Sequence, residues 1–258
     1  MKILIDGDRE VYKAAWVSEK VIEWEPDMMS VACDAKEARQ RMEISMELIR
    51  KKLSEWLKTN CELVVVFSGE DNWRKKIYPE YKAGRVRKLK PLAFKPLKEW
   101  FLKNYDAKIE YGLEADDLIG ILATTDENDT IMVSDDKDFK NIPGWLYNPD
   151  KMDHPKLTTL EDANYNHMLQ TLTGDAVDGY PGLPSYGPVK ASKALGPREG
   201  SIVPELWERV IKAYGASGFP ESYATIQSKL ARILRKGEWD YEKKECLWEP
   251  PTILDGTP

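Results

Sequence analysis

Four short apolar runs in this chain each stop at acidic residues, and this repeated pattern constrains the fold more than any other feature. Residues 2–5 end at Asp6-Gly7-Asp8, and residues 62–67 end at Ser68-Gly69-Glu70-Asp71. Residues 107–111 lead to Glu114, Asp116 and Asp117, and residues 130–134 lead to Asp135, Asp136 and Asp138. Runs this short and this rich in Val, Ile and Leu read as buried strands. The stretches between them read as helices. Asp34 with Glu37 forms a capping box ahead of a long amphipathic helix ending near Asn60, with Ala38, Met42, Ile49, Leu53, Trp56 and Leu57 on one stripe. Further helices are expected over about 96–105, with Trp100 and Phe101 inward, and over 118–125, and 145–147 reads as one more strand. Alternation of this kind predicts an α/β fold with a mostly parallel sheet flanked by helices.

If the strands are parallel neighbours, their acids converge on one edge, where open α/β sheets bind ligands. Clustered carboxylates repel one another by several kcal/mol, roughly, or take up protons, unless a cation sits among them. No His or Cys accompanies these acids, so hard octahedral ions, Mg²⁺ or Mn²⁺, suit the set. Two such ions about 4 Å apart would suit phosphodiester hydrolysis. A single structural Ca²⁺, or plain turn and capping roles for the aspartates, are the competing readings. The three cysteines are scattered and the two histidines flank no nucleophile, which argues against a disulfide framework, a zinc knuckle and triad chemistry.

The net charge of -6 hides a strong asymmetry. Between Arg74 and Lys98 stand ten basic residues against the single acid Glu80, interleaved with Tyr78, Tyr81 and Phe94. Cations alternating with aromatic rings suit phosphates and stacked bases, although such a segment can also be a solvated face. Pro79, Pro91 and Pro96 keep it from forming one continuous helix. Lys82 and Arg85, three apart on a possible helical turn, could reach one phosphate.

From Thr159 onward the chain reads as helical, over 160–173, 189–195, 204–214 and 221–235. A Gly/Pro-rich hairpin at 181–188 follows Asp175 and Asp178, and its glycines would let a phosphate approach the next helix, with Lys190 nearby. A soft boundary is placed near 155. It separates a strand-helix alternating unit, 1–155, with its basic segment at about 70–105, from a helical region, 156–258, with its hairpin at about 174–195. No apolar run approaches the ~20 residues that span a bilayer, and no signal pattern precedes the first strand, so a cytoplasmic location is expected.

Five motifs in order resemble the flap endonuclease family of 5′-nucleases, particularly its phage-encoded 5′→3′ exonuclease branch. They are Ile-Leu-Ile-Asp6-Gly; Asn72-Trp-Arg74-Lys with Pro79-Glu-Tyr81-Lys82-Ala-Gly-Arg85; Glu114-Ala-Asp116-Asp117; Ser134-Asp-Asp136-Lys-Asp138-Phe; and Gly174-Asp175-Ala-Val-Asp178-Gly-Tyr-Pro-Gly. The resemblance implies a PIN-like nuclease sheet, a helical arch or clamp over the active site, and a helix-hairpin-helix-like element gripping duplex phosphates. It implies hydrolysis of duplex DNA, or of an RNA:DNA hybrid, from a 5′ end or flap, by a two-metal mechanism that leaves 5′-phosphates, in phage replication or recombination. The protein is then expected to be a monomer in the host cytoplasm.

By the match, Asp6, Glu114, Asp116, Asp117, Asp136, Asp138, Asp175 and Asp178 hold Mg²⁺, with Mn²⁺ as a substitute, directly or through water, and K⁺ is expected at the hairpin. Lys82 and Arg85 steer the phosphate, supported by Arg74. Lys75, Lys76, Tyr81, Arg87, Lys88, Gly182, Gly187 and Lys190 contact nucleic acid. The sequence departs from the family at Ser68 and Gly69, where an acid is usual, so that Glu70 or Asp71 must substitute or the contact is missing. Ser185 and Val189 also replace a usual glycine and lysine. Two other readings stay open. One is a haloacid-dehalogenase-like phosphatase with Asp6 as nucleophile and Asp8 as acid; the other is a non-catalytic nucleic-acid-binding protein.

Overall fold

The computed structural model describes residues 1–84, 89–126 and 129–251. In chain order, β1 (Lys2–Asp6) is followed by α1 (Gly7–Val17), a hairpin of β2 (Glu19–Glu25) and β3 (Met28–Cys33), and the long α2 (Ala35–Leu57). Next come β4 (Glu62–Ser68), the single turn α3 (Arg74–Ile77), α4 (Phe94–Asn104), β5 (Ala107–Glu110), α5 (Ala115–Thr125) and β6 (Thr130–Val133). A 3₁₀ turn (Lys137–Asn141) leads to β7 (Gly144–Tyr147) and β8 (Lys156–Thr158). The helical part holds α6 (Leu160–Thr173), α7 (Pro188–Leu195), α8 (Val203–Ala216) and α9 (Glu221–Ala231), with a small β9 (Trp239–Asp240) and β10 (Glu245–Cys246) pair behind it.

The main sheet has the order β5-β4-β1-β6-β7-β8. Its first five strands are parallel and only β8 runs the other way. Consecutive residues of a central parallel strand are buried on opposite faces. Ile3 and Ile5 therefore join Val65, Phe67, Ile131 and Val133 beneath α1, α2 and α4. Leu4 joins Val64, Val66 and Met132 on the other face, beneath α5 and the returning Ile233 and Leu234. A third core, built on Leu172, Trp207, Val210 and Tyr214, holds α6 to α9 together. Residues beyond 155 thus supply the sheet's last strand and part of its second core.

Several elements depart from the sequence reading, among them β8, β9 and β10 in the stretch read as helical. Helix α1 follows β1 directly, because Asp6 ends the strand and caps the helix by accepting from the Arg9 N–H at 3.3 Å. The β2–β3 hairpin is not visible in the sequence pattern, since both of its faces are largely exposed and no buried alternation marks it. Helix α9 stops at Ala231 rather than Arg235: Arg232 is extended, and the chain after it docks on the back of α5. Among the described residues no helix is long and apolar enough to cross a membrane.

Candidate active site

Parallel pairing brings the ends of β1, β4, β5 and β6 to one edge, and acids that follow β1, β5 and β6 lie along it. Two groups form. Asp6, Asp136, Asp138 and Asp175 lie on the β1/β6 side, and Glu114, Asp116, Asp117 and Asp178 lie at the start of α5.

Asp6 is buried, and its carboxyl is pushed up to about 7 by that burial and by the charges of Asp8 and Asp136. Asp136 caps the 3₁₀ turn by accepting from Asp138 N–H at 3.0 Å. Asp138 is raised to about 6 by burial and by Asp136 and Asp175. Asp175 accepts from the Val177 and Asp178 N–H groups at 2.8 and 3.2 Å. Burial works against its ionisation, but these bonds and Lys137, at 2.8 Å, hold it below the usual carboxylate range. Lys137 is thus a local counter-charge to Asp175. Asp135 turns away to Arg9 and Lys13 and stands outside the group.

In the second group, burial opposes the charge of Glu114, yet Lys82 and Arg74 hold it below its usual value. The Lys82 ammonium bonds Glu114 and lies 3.6 Å from Asp178. Asp116 is raised well above the ordinary value by burial and by the charges of Glu114 and Asp117. Lys82 itself sits at φ 59° in a turn, not on a helix, and its N–H donates to the Asp178 carbonyl at 2.7 Å.

Several expected site residues prove to be internal supports. Arg74 is 2% exposed. All of its guanidinium donors are used, on Asp117 at 2.7 and 2.8 Å, Glu114 at 3.4 Å and the Leu230 and Arg232 carbonyls at 3.1 and 2.5 Å. None faces a substrate. Asp117 is fully buried, and besides Arg74 it accepts from Trp73 Nε1 and Leu234 N–H, each at 3.1 Å. Tyr81, placed above among nucleic-acid contacts, is buried as well, and its hydroxyl donates to Glu114 at 3.0 Å or Asp178 at 2.9 Å. Gly182 is also internal: its N–H donates to Gln227 at 2.8 Å, and a Cβ there would lie 2.3 Å from Gly174 N. The chain crosses itself too closely at that point for any side chain.

Lys75, Gly187 and Lys190 are exposed, and Lys76 is exposed with its ammonium on the Lys244 carbonyl at 3.1 Å. Lys190 Nζ lies 4.0 Å over the Tyr186 ring beside the N-terminus of α7. Helices α6 and α7 flank the Gly/Pro-rich turn at 174–187, where the resemblance implies a helix–hairpin–helix-like element. Arg85, Arg87 and Lys88 lie outside the described residues.

The end of β4 resolves an open question. Asp71 is bonded by the Tyr111 hydroxyl at the surface, and Glu70 is exposed. The carboxylate that reaches the β4 terminus is Asp8, which accepts from Ser68 N–H at 2.7 Å. Lys98 of α4 donates to the Ser68 carbonyl at 2.7 Å and to Asp8 at 3.4 Å. Asp8 had a signal, two residues from Asp6. Lys98 had none, because nothing in its own segment shows that it crosses to β1.

Among the described residues no three acid, His or Cys side chains stand in a ready-made metal-ligand arrangement. Lys82, Arg74, Lys98 and Lys137 are interposed instead. The donor set nevertheless fits a hard divalent cation: every candidate ligand is a carboxylate oxygen, and Asp6 and Asp138 are raised first by burial and then by the carboxylates beside them.

A sequence profile described as 5'-3' exonuclease, N-terminal resolvase-like domain matches residues 2–144. The exodeoxyribonuclease of Enterobacteria phage T3 is 30% identical over 96% of this chain and 92% of its own length. The exonuclease of Escherichia phage T7 is 29% identical over 96% and 93%. The crystal structure of T5 D15 protein with metal ions superposes with a TM-score of 0.59 at 15% identity, covering 90% of this chain and 89% of that one. The catalytic core of Rad2 in complex with DNA substrate gives 0.53 at 13%, covering 97% and 83%. These two likenesses establish the shared PIN-like fold. On the profile and the full-length phage relatives, the chain belongs to the 5′-3′ exonuclease family and is a nuclease.

Proposed function

We propose that this nuclease hydrolyses phosphodiesters of duplex DNA, 5′ flaps and RNA:DNA hybrids from the 5′ end, as a monomer that depends on Mg²⁺. The observation that carries the reading is the convergence of buried, incompletely neutralised carboxylates on one sheet edge, beside a cationic segment. Asp6, Glu114, Asp116, Asp136 and Asp138 would hold the ions, with Asp175 and Asp178 extending the set toward the hairpin. When bound, divalent ions supply neutralisation of the phosphate and activation of water.

The chain's own residues do the rest. Lys82, held by Glu114 and 3.6 Å from Asp178, is placed to take the phosphate oxygens beside the second acid group. Arg74 and Asp117 fix the first turn of α5 and so aim Glu114 and Asp116. Gly187 N–H, at the start of α7, and Lys190 would take a phosphate of the duplex downstream. The phosphatase reading gives Asp6 a covalent role and leaves Glu114, Asp116 and Asp175 without work. The test is digestion of a 5′-labelled duplex, a flap and an RNA:DNA hybrid with Mg²⁺ or EDTA. Short 5′ products with Mg²⁺ alone are expected; equal cleavage in EDTA would overturn the metal dependence.

A further inference from the structure

We propose that Lys98 is a positioning residue that acts on the cation site through Asp8, as a built-in counter-ion that an incoming divalent ion must outcompete. The inference rests on the metal-dependent reading above and deepens it. The end of β4 carries no acid of its own, and Gly69 leaves no room for one, since a Cβ there would lie 2.0 Å from the Glu110 carbonyl oxygen. Asp8 fills that place from the first turn of α1. One of its oxygens is fixed by Ser68 N–H and the other faces Lys98, which is itself pinned by the Ser68 carbonyl.

Both side chains are largely enclosed, at 21% and 23% exposure, so water screens the pair only in part. Asp6, two residues before Asp8, is 8% exposed, and one backbone N–H is the hydrogen bond its carboxylate accepts. A cation drawn to Asp6 therefore meets Asp8 next, and the Lys98 ammonium opposes it. Lys98 also belongs to α4, the helix that closes the basic segment, so the same contact fixes that helix against the sheet edge.

The signs distinguish this role from mere packing. Removing the Lys98 charge takes away a repulsion, whereas removing the Asp8 charge takes away an attraction. For a partly screened charge a few ångströms from a divalent ion, the change is about three- to tenfold in affinity. Mn²⁺ binding measured by electron paramagnetic resonance, without nucleic acid, should tighten by about that factor in Lys98→Met and Lys98→Gln. It should stay near wild type in Lys98→Arg and weaken in Asp8→Asn. The Mg²⁺ concentration for half-maximal cleavage should shift the same way. Unchanged or weaker Mn²⁺ binding in both neutral Lys98 variants would overturn the proposal. Wild-type protein that binds no Mn²⁺ would instead overturn the metal-dependent reading beneath it.

Discussion

The Arg74 guanidinium grips the Asp117 carboxylate with two bonds of 2.7 and 2.8 Å, and neither group reaches solvent. The pair fastens three distant parts of the chain together: the basic segment, the first turn of α5, and the end of α9 with the extended stretch after it, through Leu230, Arg232 and Leu234. A buried pair of this kind contributes little net energy when whole, but breaking one side strands the other. Arg74→Lys keeps the charge and loses the fork. That substitution and Asp117→Asn should each lower stability by roughly 3 kcal/mol, and together by less than the sum. Urea midpoints of the two single variants and the double variant check this, and full additivity would show that the pair is not coupled.

Asp136 carries the sheet's contribution from β6; its carboxylate accepts from Asp138 N–H, and its own N–H donates to Ser134 Oγ at 3.1 Å. Asp136→Ala should abolish Mg²⁺-dependent cleavage, by about 100-fold or more, while DNA binding measured by anisotropy in EDTA persists. Undiminished cleavage would remove Asp136 from the metal set.

Lys82 touches both Glu114 and Asp178, so its position depends on the acids rather than on the surface. Lys82→Ala should slow single-turnover cleavage by about 100-fold, the scale of losing one charged donor in a transition state, and weaken DNA binding far less. Equal losses would make Lys82 a phosphate anchor only.

Asp6 sets a pH dependence. Its folded-state pKa, about 7, lies above the unfolded value, so the folded form binds more protons between the two. The contribution is therefore favourable below about pH 4 and lost as pH rises through 7. At pH 8 in EDTA, Asp6→Asn should be more stable than wild type by roughly 1–3 kcal/mol while failing to cleave. MgCl₂ should raise the wild-type melting temperature more than that of Asp6→Asn. A destabilised Asp6→Asn would show that its charge is already compensated.

His167 works in the opposite direction. Burial, then the Arg232 charge, hold its pKa well below the usual value, and Nε2 lies 2.9 Å from the Ser228 carbonyl. It is neutral when folded, whereas the unfolded chain takes up a proton below about pH 6.5. Stability from this group is thus complete above pH 6.5 and falls on acidification by up to about 1.4 kcal/mol per pH unit. Urea midpoints at pH 7.5, 6.5 and 5.5 should fall more steeply for wild type than for His167→Gln.

What the sequence determined by itself is the sheet edge. Apolar runs that stop at acids can satisfy both burial and charge in few ways, and Asp6, Glu114, Asp116, Asp136 and Asp138 lie at the edge that pattern predicts, whereas Glu70, Asp71 and Asp135 point elsewhere. The helix caps at Asp34 and Thr159 were equally local, because capping is decided within a few residues. Only the tertiary structure decided which charged residues stay exposed and which face one another. Arg74 and Asp117, 43 positions apart, or Asp8 and Lys98, 90 apart, pair because packing removes them from water. Once there, an unpaired charge is too costly to tolerate, and no periodicity in the chain records that constraint.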